Sequence, residues 1–193
     1  MKKLLLISLI CFYSCKTQVY LPVKKCIEKD NLSTIHKGVL LFESKLKYKY
    51  PNSTIEWAYF EFLQDLSTKK LSNQFFDDSI SDSISKQIRN LKIWDISERT
   101  DENMKREAKL FNVEKMNPNN IKLEKNISYC LFDQTDSDGI KNFLLMNSKY
   151  RLSPKRIRNI FYSGTSESDL KKDTNRMIIA LGVYYQTKFN INK

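Results

Sequence analysis

The chain of 193 residues is 41% hydrophobic and 12% aromatic, which excludes a disordered protein and is enough for a substantial core. Its 4 Gly and 4 Pro are too few for a turn-rich β-barrel or sandwich, so helices are favoured. The formal net charge of +11 favours an acidic partner, which inside a cell would be nucleic acid. The alternative is that the many lysines are solvated surface residues without a partner.

The first fifteen residues have the layout of an export signal. Lys2 and Lys3 precede an apolar run from Leu4 to Tyr13 that contains one serine, and Ser14 and Cys15 follow it. A positive start, a short apolar run and a small residue at the cleavage point are the parts of a secretory signal. The run is much shorter than the roughly 20 residues that a bilayer-spanning helix needs. The sequence therefore predicts export, and an exported protein is not expected to bind nucleic acid.

The small residue directly before a cysteine, Ser14-Cys15, resembles the lipobox of bacterial lipoproteins. In that family the signal is removed just before the cysteine, whose sulfur carries a diacylglycerol and whose new amine is acylated. Several acyl chains together hold a protein firmly on a membrane. The resemblance implies a signal peptide at 1–14, a lipidated N-terminus and tether at 15–30 with Cys15 as the lipidated residue, and a single globular domain at 31–193. The alternative is an ordinary secretory signal, with Cys15 as an unmodified thiol.

Apolar stripes and capping residues predict five to six helices in this domain. The first is capped by Ser33 and carries Ile35, Val39, Phe42 and Leu46 at helical spacing. The second is apolar nearly all round and is predicted to be central and well covered. The second helix is predicted to begin at the capping box Ser53-Thr54-Ile55-Glu56. The helices after it are predicted to begin, in chain order, near Ile84, at Thr100, at Ser153-Pro154 and near Ser168.

A small antiparallel sheet is predicted after the loop Asn117-Pro118-Asn119-Asn120. Two apolar runs, Ile127 to Phe132 and Ile140 to Met146, are predicted to be its strands, because the segment between them ends in the turn signal Asp138-Gly139. The predicted fold class is α+β, mainly helical, with about five to six helices and one small antiparallel β-hairpin or sheet.

Two cysteines remain if Cys11 leaves with the signal and Cys15 is lipidated. Cys26 and Cys130 would then meet in an oxidising compartment, where a disulfide is one expectation. Cys130 also lies in an apolar run, so a buried free thiol is the other. One histidine and no CxxC spacing leave too few ligands for a metal site, and no cofactor is predicted.

No catalytic signature stands out in the chain, so an enzymatic function is uncertain. His36 is the single histidine, and Glu43 lies on nearly the same helix face, so that this pair is one candidate general base. Carboxylate pairs such as Glu56 with Glu61, or Glu61 with Asp65, are candidates for glycan hydrolysis. Pairs at helical spacing are more often solvated faces, and we predict no catalytic residue.

The segment 139–166 contains six basic residues, no acidic one, and interleaved aromatic residues. Arginine presents a fixed fork of donors that suits phosphate and carboxylate groups. We therefore predict a basic contact face for an acidic protein, an anionic lipid or a glycan, made of Lys149, Arg151, Lys155, Arg156 and Arg158. The alternative is a basic surface that is paired internally with neighbouring acids.

These features together predict a lipid-anchored protein of the bacterial cell envelope, facing the periplasm or the cell surface. Its domain is expected to bind a partner and not to catalyse a reaction, because the sequence has a clear export signal and no recognisable set of catalytic residues. Two alternatives remain open. One is a toxin-immunity type of lipoprotein, and the other is an envelope hydrolase whose site is assembled from residues distant in sequence.

Overall fold

A computed structural model describes residues 22–77 and 79–191, so the signal, Ser14 and Cys15 lie outside the described residues. A 3₁₀ turn at Pro22–Lys25 precedes the helices, which are α1 (Lys29–Lys49), α2 (Ile55–Ser67), α3 (Asn73–Phe76), α4 (Ser79–Arg89), α5 (Asp101–Phe111), α6 (Lys125–Phe132), α7 (Asp138–Lys149), α8 (Pro154–Gly164), α9 (Glu167–Leu170), α10 (Asp173–Ile179) and α11 (Gln186–Ile191). A π-helical segment, Ala180–Tyr185, joins α10 to α11 without a break. The described residues thus form ten helices when this last run is counted as one, more than the five to six expected.

The continuous helix from α10 to α11 is the centre of the fold. Every residue from 177 to 185 is fully buried. Tyr184 stacks on Phe42 of α1 with ring centroids 4.3 Å apart. Phe42 in turn meets Tyr59 and Phe62 of α2 edge to face, at 5.4 and 5.0 Å. The aromatic residues therefore join α1 and α2 to the last helix, which takes the central place that the sequence had indicated for α2.

The sheet has two antiparallel strands, β1 (Trp94–Glu98) and β2 (Asn119–Leu123). Trp94 pairs with Leu123 and Glu98 pairs with Asn119. The connection between the strands contains α5, so this pair is not a tight hairpin. β1 is mostly exposed, whereas β2 is mostly buried against α7 and the last helix. A mainly helical fold with one small antiparallel sheet was expected, but the strands lie elsewhere.

The two runs predicted to be hairpin strands are helices, α6 and α7, so the hairpin prediction is wrong. Short apolar runs do not distinguish a strand from a buried helix, and the local caps decide here. Glu124 caps α6 by accepting a hydrogen bond from the Ile127 amide, at 3.0 Å. Asp138 lies in the first turn of α7, where a negative charge suits the helix dipole.

Gly139 serves a close approach between helices and not a hairpin turn. It lies in the first turn of α7, against Gly164 at the end of α8. A Cβ atom on Gly139 would lie 2.7 Å from the Gly164 carbonyl carbon, which is too close for any other residue type. The Asp-Gly pair thus misleads because glycine is needed for packing as well as for turns.

The domain begins before the predicted boundary at residue 31. Val23 and Ile27 are buried in the core, and Cys26 is bonded to Cys130 of α6, with the two Cα atoms 5.5 Å apart. Val23 onwards is therefore packed with the folded domain, and residues 15–21 of the predicted tether lie outside the described residues. No helix within 22–77 and 79–191 combines the length and the apolar character that crossing a bilayer requires.

Candidate functional site: a basic cleft beside the sheet

A cleft of about 230 Å³ opens between α5, β2, the loop from α7 to α8, and α11. We call it the basic cleft, because four of its lining residues are cations and one is an acid. These charged residues are Arg99, Arg106, Glu107, Lys122 and Arg151. Its apolar walls include Leu110, Phe111, Met116, Leu152 and Ile157, and its polar lining includes Asn120, Asn147, Gln186 and Asn190.

Arg99 is the buried anchor of the basic cleft. Its side chain is 1% exposed, and burial lowers its pKa while the charge of Glu107 opposes that shift. A guanidinium has five N–H donors, and all five are used here. The acceptors are Glu107 Oε2 at 3.0 Å, the Asn117 and Asn119 carbonyls at 2.6 and 2.5 Å, Asn120 Oδ1 at 3.2 Å, and Asn190 Oδ1. Arg99 therefore has no donor left for a ligand.

Glu107 is one carboxylate shared by two guanidinium groups. Its second oxygen, Oε1, accepts a hydrogen bond of 2.6 Å from Arg151 Nη1. Glu107 is 7% exposed, whereas the Arg151 side chain is 32% exposed at the cleft wall. Among the described residues Arg151 has no other hydrogen-bond partner, so four of its five donors remain for a ligand. Glu107 can neutralise only one of the two cations, which leaves an excess positive charge beside the cleft.

Two further cations add to this excess. Arg106 is exposed and donates one hydrogen bond to Asn103, at 3.0 Å. Lys122 donates to the Ser148 carbonyl at 3.1 Å and lies 3.8 Å from the half-exposed carboxylate of Asp95. Four cations thus face two carboxylates at the cleft, and the net charge is positive even when Asp95 is counted.

Side-chain amides from the last helix fix the floor of the cleft. Asn147 and Gln186 exchange two hydrogen bonds of 3.0 Å. Asn190 pairs with the backbone of Ile121 as a neighbouring strand would, accepting from its amide at 3.0 Å and donating to its carbonyl at 2.6 Å. These contacts hold the floor in one arrangement. The sequence signal that could have indicated this site is Gln186 and Asn190, two amides four residues apart at the end of an apolar helix.

Of the five residues of the predicted contact face, only Arg151 lines the basic cleft. Arg151 lies in the basic cleft, bound to Glu107. Arg158 turns towards α2, where it donates to Gln64 at 2.9 Å and lies 4.4 Å over the ring of Tyr162. The remaining three are exposed and have no ion pair within the described part of the chain, and they are Lys149, Lys155 and Arg156. Sequence reasoning found Arg151 and missed Arg99, Arg106 and Glu107.

Three of the carboxylates considered for catalysis, Glu43, Glu61 and Asp65, are each bonded to a neighbouring side chain. Glu43 accepts from Arg176 at 2.8 Å and from Tyr59 at 3.3 Å. Arg176 is buried, which lowers its pKa, but the charge of Glu43 and the bond to it raise the pKa above its usual value. Glu43 thus completes a structural ion pair.

The second candidate pair of carboxylates, Glu61 and Asp65, lies in the second half of α2. Glu61 accepts from Ser53 at 2.7 Å, and Asp65 accepts from Tyr50 at 3.0 Å. Burial, together with the charge of Asp65, raises the pKa of Tyr50 above its usual range. Within 22–77 and 79–191 no three metal-ligating side chains come together.

Comparison with known protein families, characterised proteins and solved structures finds no match to this chain. No relative therefore supplies a function. The basic cleft is the site from which we infer one, because it combines enclosure, fixed polar groups and an uncompensated charge.

Proposed function

We propose that this protein is a lipid-anchored component of the bacterial cell envelope whose domain binds an anionic ligand without catalysing a reaction. The anchor is supported by the export-type start of the chain and by Ser14-Cys15. Residues 16–21 alone separate Cys15 from the folded domain at Pro22. Fully extended, those residues reach about 20 Å, so an anchor at Cys15 would keep the domain close to the membrane.

The sharing of Glu107 between Arg99 and Arg151 is the observation that carries the binding proposal. Arg99 is buried and needs the carboxylate, because an unpaired buried charge is costly. Glu107 therefore neutralises the charge of Arg151 at the cleft wall only in part. An anion that binds there completes the neutralisation and accepts hydrogen bonds from the unused N–H groups of Arg151.

The size and lining of the cleft define the ligand by chemistry. About 230 Å³ is less than the 300–1,000 Å³ of typical small-molecule sites, so the group that enters is small. Leu110, Phe111 and Leu152 line the same cleft and offer it apolar contacts. The ligand we propose is a carboxylate or phosphate that carries a short apolar group, whether on an acidic protein, an anionic lipid or a glycan.

Amide chemical shifts of the mature chain carrying Cys15→Ala test this proposal during titration with small probes. N-acetyl-leucine supplies a carboxylate with an apolar group, glycerol 3-phosphate supplies a phosphate, and N-acetyl-leucine amide is the neutral control. We expect the two anions to shift residues around Arg151 with dissociation constants on the order of 1 mM, as for other fragments of this size. The neutral amide should not shift them.

Arg151→Ala and Lys149→Ala form a matched pair for the same titration. Each removes one cation, but Lys149 lies on the exposed end of α7 and does not line the cleft. Loss of hydrogen bonds to a charged group, worth about 1.5–3 kcal/mol, should weaken anion binding about tenfold or more in Arg151→Ala alone. Equal weakening in both variants, or no shift at the cleft in the parent chain, would refute the proposed site.

A further inference from the structure

β1 is the open edge of the two-stranded sheet. The residues from 95 to 98 are all exposed, and Ile96, at the centre of the strand, is 57% exposed. An unpaired strand edge is a template on which another strand can add. Proline, lysine and β-bulges commonly protect such edges. None of the three occurs in β1, whose register with β2 is unbroken.

The register shows which backbone groups of β1 face outwards. Ile93 accepts and Arg99 donates a hydrogen bond across to the residues that flank β2, at 2.9 and 2.8 Å. In an antiparallel pair every second residue bonds to the neighbouring strand, so the odd-numbered residues of this stretch bond to β2. The N–H and C=O groups of Trp94, Ile96 and Glu98 therefore point away from β2. Among the described residues none of these six groups has a hydrogen-bond partner.

The opposite edge of the sheet, along β2, is closed by side chains of the last helix. Asn190 bonds to the amide and the carbonyl of Ile121, at 3.0 and 2.6 Å. Gln186 accepts a hydrogen bond from the amide of Leu123, at 3.3 Å. Side-chain amides thus take the place of a third strand beside β2. Within the described part of the chain, β1 has no such substitute.

The edge of β1 is complementary to a second copy of itself. In an antiparallel pairing centred on Ile96, the two Ile96 residues exchange two hydrogen bonds, and Trp94 of each copy exchanges two with Glu98 of the other. This register pairs all six outward groups of each copy, whereas a shift by two residues leaves one residue of each strand unpaired. It also places the two exposed Ile96 side chains next to each other on one face of the sheet.

The charges of β1 are compatible with this register. Asp95 of each copy would lie opposite Ser97 of the other, and Glu98 opposite Trp94. Like charges directly opposite each other destabilise a sheet, and this register brings no two carboxylates face to face. Asp95 also lies 3.8 Å from the ammonium group of Lys122 in its own chain, which offsets its charge.

We propose that β1 pairs with β1 of a second copy, so that a homodimer forms one antiparallel sheet of four strands around a two-fold axis at Ile96. Two strands of five residues make an interface much smaller than a standard one. We therefore expect a weak dimer, with a dissociation constant on the order of 100 µM. This inference does not depend on the basic cleft or on the lipid anchor, so the proposals can fail separately.

Sedimentation equilibrium of the mature chain carrying Cys15→Ala tests the dimer. From about 10 µM to about 1 mM we expect the average mass to rise from one copy towards two. Ile96→Lys places two lysines opposite each other and should raise the dissociation constant about tenfold. Leu40→Lys is the matched control, because Leu40 is a 51% exposed aliphatic residue on α1, and it should change nothing. A monomer throughout this range would overturn the proposal, as would equal effects of the two variants.

Ile96→Cys and Glu98→Cys, each combined with Cys15→Ala, test the register. The introduced cysteine is then the single free thiol, since Cys26 and Cys130 are bonded to each other. The two copies of residue 96 are neighbours across the axis, at a distance that a disulfide can bridge, whereas the two copies of residue 98 lie about 14 Å apart along the strands. Under mild oxidation we expect Ile96→Cys to form a covalent dimer and Glu98→Cys to form much less. Equal cross-linking of the two variants would refute the register.

Discussion

Glu107 of α5 and Arg151 of the loop after α7 are joined by an ion pair of 2.6 Å, although they lie 44 residues apart in the sequence. Arg99 also binds Glu107, and it donates to Asn190, which lies 91 residues after Arg99 in the sequence. The basic cleft is therefore built from long-range contacts around one buried carboxylate. That carboxylate should matter more for stability than the arginine that it holds at the surface.

Glu107→Gln should destabilise the protein strongly, by about 3–5 kcal/mol, because it leaves the buried charge of Arg99 without its counter-charge. Arg151→Ala should cost no more than about 1 kcal/mol, since Glu107 keeps its bond to Arg99 and Arg151 is partly exposed. Urea unfolding at pH 7 measures both free energies. Similar losses in the two variants would contradict the roles given to Arg99 and Arg151.

The bond between Cys26 and Cys130 should make a large contribution to stability. It closes a loop with a sequence separation of 104 residues, for which the chain-entropy model gives at most about 4–5 kcal/mol. The double variant Cys26→Ala with Cys130→Ala should therefore unfold at a much lower urea concentration than the parent. Reductant should shift the parent in the same direction and leave the double variant unchanged. An unshifted midpoint in both experiments would show that the bond contributes nothing.

Gly164→Ala should be destabilising, because an added Cβ would lie 2.7 Å from the Gly139 amide nitrogen and 2.9 Å from its Cα. These are backbone atoms, so the helices must move apart, at a cost of about 1–3 kcal/mol. Thermal unfolding should show a fall of roughly 2–4 °C per kcal/mol. Ser163→Ala changes the exposed neighbouring residue, and it should lower the melting temperature much less. Equal melting temperatures for the two variants would show that the helices can separate freely.

Tyr50 should make stability depend on pH in the alkaline range. Burial and the neighbouring charge of Asp65 raise its pKa in the folded state, so the folded state keeps this proton at a pH where the unfolded state loses it. The contribution of Tyr50 is therefore complete below about pH 10, the ordinary tyrosine pKa, and declines as the pH rises further. Tyr50→Phe has no proton to lose.

Unfolding free energies of the parent and of Tyr50→Phe at pH 8, 9.5 and 11 test this linkage. The parent should be the more stable at pH 8, because of its hydrogen bond to Asp65. Its advantage should shrink at pH 11. A constant difference across the three values would mean that the pKa of Tyr50 is the same in the folded and unfolded states.

Local signals in the sequence predicted much of the helical part of the fold. Thr100 caps α5 and Ser153 caps α8, with Pro154 in the first turn, at the residues where these helices were expected to begin. A capping side chain and an apolar stripe act within a few residues, so the sequence alone reveals them. The strands were misplaced because β2 owes its burial to the last helix and to Asn190, about 70 residues away.

The site was only partly predictable for the same reason. Lys149, Arg151, Lys155, Arg156 and Arg158 lie close together in sequence, but Arg151 and Arg158 bind different helices. Their directions depend on Glu107 and Gln64, which no local pattern indicates. Composition identified the cations, and only the packing of distant elements selected the one that enters the cleft.

The intact mass of the mature N-terminus, compared between the parent and Cys15→Ala, tests the envelope assignment most directly. We predict a chain that begins at Cys15 and carries the mass of a diacylglycerol and a further acyl group. Cys15→Ala should lack that lipid mass. A chain cut elsewhere and without lipid would make the protein soluble and secreted. An uncut, unmodified chain would contradict export, and nucleic acid would again be a candidate partner for a chain of net charge +11.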